Sequence, residues 1–129
     1  MIQNLNQVSF QGFGTILPER VQSAKIGDKG ERRIVHLECG DGKLFFAEDE
    51  VWLACSDGTS VLSVSHDDQE YHHYYLDKLV CVKKGVFFAL TPFHGVSSVE
   101  LVSQVPASDK GNRAIGGLKV EQKLCIDGI

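Results

Sequence analysis

No stretch of this sequence approaches the roughly 18 consecutive apolar residues that a membrane-spanning helix requires. Residues 1–8 carry neither the basic head nor the apolar run of a signal peptide, so a cytoplasmic location is expected. A basic excess is also missing. The formal net charge is −4, and the doublets Arg32-Arg33 and Lys83-Lys84 are too short to track phosphates and read as solvated turn residues. Neither nucleic acid nor a membrane is therefore expected as a partner. The four cysteines (Cys39, Cys55, Cys81 and Cys125) form no Cys-x-x-Cys and no tight pair. Three of them sit in apolar runs, where a free thiol behaves as a small hydrophobe, so neither a disulfide framework nor a zinc site is expected. Internal repeats, low-complexity segments, glycine-rich phosphate loops, Gly-x-Ser-x-Gly elbows and nucleophile–base arrangements are likewise absent.

What remains is a chain of 129 residues, 43% apolar, long enough to bury its own core. One domain spanning residues 1–129 is expected. Short runs rich in β-branched and aromatic residues recur along it: residues 14–17, 33–37, 43–46, 51–55, 60–64, 71–75, 79–82, 86–90 and 99–102. Turn clusters carrying Gly or Asp separate them, at Gly27 to Gly30, Gly40 to Gly42, Ser56 to Gly58, His66 to Asp68 and Lys83 to Gly85. Strands at this spacing imply an all-β sandwich or barrel. The strongest local signal is Asp57-Gly58 between two apolar runs, which predicts a hairpin pairing residues 51–55 with 60–64. Only residues 5–10 have a spacing compatible with a helical turn or two. Residues 108–117 are polar and glycine-rich and read as a loop, followed by a last strand over 118–124.

Three phrases resemble the ureidoglycolate lyase family. The opening from Leu5 through Phe10, Phe13 and Gly14 to Ile16 is similar to the phrase that begins the family's first strand. Residues 51–64, with Gly58 at the turn, resemble its central hairpin, and residues 84–94, ending Phe93-His94, resemble its Gly-Val strand. The likeness covers residues 5–17 and about 48–103. It implies a cupin-type double-stranded β-helix, an antiparallel barrel with little helix. It also implies a homodimer, a small carboxylate or ureido ligand in the barrel mouth, and cleavage of ureidoglycolate to glyoxylate and urea. The chain departs from the family at Ala89, where the family has a histidine, at Asp57, where it has a lysine, and at Leu90, where it has a basic residue. It is also short between residues 34 and 50.

The resemblance and the residue types nominate His94 and His36 as catalytic, with Tyr74, Phe87 and Trp52 against the substrate. His36 alternates with apolar residues, which reads as half-buried, and Glu38 shares its face. His72 and His73 are neighbours in a strand and point to opposite faces, so they cannot ligate one ion together. The His-x-His pattern of metal-binding cupins is absent, and neither a metal nor a cofactor is expected. Asp67, Asp68 and Glu70 read as a solvated turn. Three functions fit: a lyase-like enzyme, a binding module that has lost the chemistry, and a structural homodimer whose barrel is filled by side chains.

Overall fold

The computed structural model describes residues 8–9, 11–17, 30–38, 42–76, 79–93, 95–105 and 107–113. His94, Cys39, Cys125 and the strand expected over 118–124 lie outside them. The described chain is all-β: β1 (Val8–Ser9), β2 (Gly14–Leu17), β3 (Glu31–Leu37), β4 (Gly42–Phe46), β5 (Val51–Asp57), β6 (Ser60–Ser65), β7 (His72–Leu76), β8 (Leu79–Val82), β9 (Phe87–Pro92), β10 (Ser97–Ser103) and β11 (Ser108–Arg113). They form a six-stranded sheet in the order β1-β2-β8-β5-β10-β3 and a five-stranded sheet in the order β11-β4-β9-β6-β7. All pairings are antiparallel. No helix among the described residues is long and apolar enough to cross a membrane.

The pairings nest. β6 pairs with β7, β5 with β8, β4 with β9 and β3 with β10, alternately in the smaller and the larger sheet. One long hairpin whose tip is the β6–β7 turn has thus been rolled up, which is the jelly-roll or double-stranded β-helix architecture to which cupins belong. The tip is built from its own side chains. Ser65 Oγ accepts from the amides of Asp67 and Asp68 at 3.2 and 2.9 Å, and Asp67 Oδ1 accepts from those of Gln69 and Glu70 at 2.9 and 3.1 Å. The acidic cluster is a turn, as its composition implies. These hydrogen bonds hold the Asp67 carboxyl below the usual range, the Gln69 amide contributing most.

The predicted β5–β6 hairpin does not form. β5 lies in the six-stranded sheet and β6 in the five-stranded one. Asp57-Gly58 is instead a corner between sheets. Gly58 has φ +73°, and a Cβ there would stand 2.6 Å from the Val96 carbonyl oxygen. Cys55 Sγ folds back onto the carbonyls of Gly58 and Asp57 at 3.2 and 3.4 Å, while β10 slips register between Ser98 and Val99 to let the chain pass. The local dipeptide specifies a reversal; which strand becomes the neighbour is decided by burial of β6 between β9 and β7. Two other expectations are corrected. Val8–Ser9 is a strand, not part of a helical turn, and residues 108–113 form β11, pairing with β4, not a loop.

Alternation fills the centre. Val51, Leu53, Val99 and Leu101 from the large sheet meet Phe45, Leu62, Val64, Phe88 and Leu90 from the small one, all at most 3% exposed. Phe45 and Phe88 stack at 5.3 Å. Every residue of β6 is buried, so its polar side chains need partners. Ser60 Oγ meets Ser97 Oγ of the opposite sheet at 2.6 Å, and Ser63 Oγ meets His73 Nδ1 at 2.8 Å. No buried side-chain polar atom among the described residues lacks a partner. On one long side the barrel is closed by Phe13, stacked on His66 at 4.3 Å and tilted against His72 at 5.5 Å.

Leu62→Ala should cost about 2–5 kcal/mol, as a cavity in a filled core does. Gly58→Ala, which meets both the steric block and the backbone strain, should cost at least about 1–3 kcal/mol. Urea denaturation reads both; a Gly58→Ala protein as stable as the parent would show that the corner tolerates a side chain.

Candidate functional site

The other long side is closed by charge. β3 is the outermost described strand of the large sheet and β11 that of the small one. The Arg32-Arg33 doublet was expected in a turn, with Arg33 also heading the run 33–37; both lie within β3, where the pleat sends them to opposite faces. Arg32 Nη1 donates to Glu100 Oε2 at 2.6 Å on the outer face, with the Glu100 side chain 7% exposed. Arg33 shares the inner face with Val35 and Leu37, and its guanidinium lies 5.4 Å from the centre of the Phe45 ring. Across the gap, Asp109 Oδ2 stands 3.5 Å from Arg33 Nη2 and 3.6 Å from Lys43 Nζ. Oδ1 of the same carboxyl accepts the Gly111 amide at 2.7 Å. That amide first, and Lys43 and Arg33 after it, hold the Asp109 carboxyl below the usual range.

Beside this rim opens a cleft of about 40 Å³ lined by Glu31, Arg33, Val51, Leu101, Ser103 and Ala107. Its walls are apolar apart from Glu31, Arg33 and Ser103. The Ser103 hydroxyl is engaged: it donates to the Glu50 carbonyl at 2.9 Å and accepts from the Val105 amide at 3.3 Å. Gly30 brings β3 into place here, because a Cβ at that position would lie 2.2 Å from the Ser103 carbonyl oxygen. Such a volume holds a few waters or one carboxylate headgroup, not a whole metabolite. The chemistry on offer is two cations, Arg33 and Lys43, and two carboxylates, Asp109 and Glu31, at the edge of an apolar wall, a set that can pair with both ends of a ligand carrying a carboxylate and an N–H donor.

Of the residues nominated from sequence, the four that lie among the described residues, His36, Trp52, Phe87 and Tyr74, are not brought together. His36 lies on the outer face of β3 and is exposed, not half-buried; its Nδ1 is 3.2 Å from Ser98 Oγ and its Nε2 3.9 Å from Glu38 Oε2. β3 has no strand beyond it among those described, which is why alternation with apolar residues did not bury it. Trp52 projects from the outer face of the large sheet, packed with Ala54, Leu79 and Val102. Phe87 projects from the outer face of the small sheet against Phe46, at 4.8 Å. Only Tyr74 points inward, and it is buried beside β2, where its hydroxyl meets the Gln11 side chain and burial pushes its pKa up. His72 and His73 do take opposite faces of β7, as their spacing requires. Burial pushes the Cys55 thiol pKa up from its ordinary value. No group of three or more His, Cys, Asp or Glu among the described residues is placed to hold a metal ion.

Arg33, Lys43 and Asp109 were missed for identifiable reasons. Arg33 looks like half of a surface doublet until its parity with Val35 and Leu37 is counted. Asp109 sits in a segment too polar to look like a strand.

No protein-family model and no curated protein matches this chain, so the likeness to ureidoglycolate lyases rests on the sequence phrases alone. Among solved structures it is similar to RmlC from Streptococcus suis, determined in complex with dTDP-D-xylose, at 15% identity and TM-score 0.49, over 78% of this chain and 59% of that one. It is also similar to WlaRB from Campylobacter jejuni, a TDP-quinovose 3,4-ketoisomerase, at 14% identity and TM-score 0.42, over 64% of this chain and 69% of that one. The chain thus spans well under two thirds of the RmlC chain. The nested strand order, not these likenesses, identifies the fold.

Burial, and then the charge of His72, lower the His73 pKa from its ordinary value of 6.5. A base whose folded pKa is depressed favours folding above its unfolded value. That contribution is lost as pH falls from about 6.5 through the lower folded value. Urea midpoints measured at about pH 7.5 and about pH 5 should therefore differ, and His73→Gln should narrow the difference. An unchanged difference in the variant would assign the acid sensitivity to other groups.

Proposed function

We propose that this chain is a cupin-type module that binds, without converting it, a small carboxylate at the rim formed by β3, β4 and β11. The observation that carries this reading is the convergence of Arg33 and Lys43, from different sheets, on a single carboxylate oxygen beside an apolar cleft. A guanidinium presents a planar fork that matches a carboxylate, and an ammonium adds a second point of charge. Glu31 lines the same cleft and carries the opposite charge. A ligand that pairs its carboxylate with N–H donors, as ureido and amino acids do, would satisfy both ends, the carboxylate on Arg33 and Lys43 and the N–H on Glu31. A bare dianion would be repelled.

Several features favour binding over turnover. A lyase acting on this ligand needs a group within reach to move a proton. Among the described histidines, His36 and His73 lie on outer faces, while His66 and His72 lie with Phe13 on the other long side. The positions at which the resemblance calls for polar groups are scattered: Leu90 is in the filled core, Ala89 is on the opposite face of the same strand, and Asp57 is at the exposed corner. A homodimer belongs to the same reading, and light scattering would then give twice the 14.2 kDa chain mass.

Calorimetric titration with N-carbamoylglycine, acetate and urea tests the proposal. N-carbamoylglycine should bind most tightly, acetate more weakly, and urea, which has no carboxylate, not at all. Arg33→Met and Lys43→Met should each weaken binding about tenfold to a hundredfold, the range for losing a hydrogen bond to a charged group. Incubation with ureidoglycolate should release neither urea nor glyoxylate. Release that disappears in His94→Ala would sink the binding-only reading and establish the lyase.

A further inference from the structure

Resting on that reading, we infer that Asp109 is a built-in occupant of the anion site, so that strand β11 regulates access to it by competing with the ligand carboxylate. The site is already filled by the chemistry it is proposed to recognise. Both cations address one oxygen, Asp109 Oδ2, at 3.5 and 3.6 Å. Charge-assisted N–H···O contacts close to about 2.7–2.9 Å when geometry allows, so neither cation is held at its best distance. The firm attachment of Asp109 is elsewhere, through Oδ1 to the Gly111 amide of its own strand at 2.7 Å. That bond caps the irregularity in β11, whose pairing with β4 breaks between Asp109 and Asn112.

The two anchorages have different consequences. Losing the cations leaves the Gly111 bond and the flanking β11–β4 pairs intact. The Asp109 side chain and both cation side chains stay more than a third exposed or close to it, at 38%, 45% and 32%, so water can take over the contacts at small cost. Displacement asks for side-chain rotation, not for unzipping of a strand. An incoming carboxylate has both oxygens free and can engage the Arg33 fork in the bidentate way that Asp109, tied through Oδ1, cannot. Apparent affinity is then the intrinsic affinity reduced by the fraction of molecules in which the site is open.

The test titrates N-carbamoylglycine into the full chain and into Asp109→Asn, which keeps an oxygen for the Gly111 amide while removing the charge. Asp109→Ser, whose hydroxyl can also cap that amide, serves if the first variant folds poorly. Glu70→Gln, on the β6–β7 turn, controls for net charge. Affinity should rise about fivefold to tenfold in the Asp109 variant and stay level in Glu70→Gln. Equal tightening in both would reduce the effect to long-range charge and overturn the inference. Unchanged or weaker binding in Asp109→Asn, with parent binding still lost in Arg33→Met, would overturn it while leaving the anion site standing. Absence of binding in every form would remove the anion site itself, and self-occupancy with it.

Discussion

The molecule depends on the complete burial of β6. A strand covered on both faces and paired on both edges has no solvent to satisfy its hydroxyls. Its three serines therefore dictate their surroundings. Ser60 requires Ser97, which joins the two sheets through a buried polar contact beside the Gly58 corner. Ser63 requires His73, which fixes β7 as its neighbour. Ser65 requires the amides of Asp67 and Asp68, which shape the tip about which the long hairpin turns. Nesting of the remaining strands follows from that tip, because each successive pair can add only outside the previous one.

A barrel wound this way has a filled axis and two long seams, and the seams differ in chemistry. One is shut by aromatic contact between Phe13 and the histidines His66 and His72. The other is shut by Arg33, Lys43 and Asp109, groups that water can replace. Ring stacking responds little to small ions, whereas ionic closure responds to them through screening and competition. The solute-responsive closure therefore lies on the second seam, set by the same packing that leaves no room in the centre.

Much of the architecture was legible in the sequence because strand alternation and turn residues are local properties. The runs around residues 33–37, 43–46, 51–55, 60–64, 79–82 and 99–102 all became strands, and the parity argument put His72 and His73 on opposite faces. The errors came where a local signal needed a nonlocal partner. Asp57-Gly58 announces a reversal but not that the returning strand joins the other sheet. β11, with the sequence Ser-Asp-Lys-Gly-Asn-Arg, has no apolar face to betray it and exists because β4 offers an edge. Three of the nominated residues lie apart for a related reason. Trp52, Phe87 and His36 are aromatic or ionisable and therefore conspicuous, yet each lies on a face that the pleat turns outward. Arg33 is inconspicuous, and only its two-residue spacing from Val35 reveals where it points.

The composition of β3 bears on how the molecule meets its own kind. As the last described strand of the larger sheet it exposes backbone donors and acceptors that another chain could extend. Along it Glu31, Arg32, Arg33 and His36 flank the exposed Ile34, polar groups that oppose the flat, dry stacking of strand on strand. In a crowded solution this border favours remaining discrete over growing into ribbons.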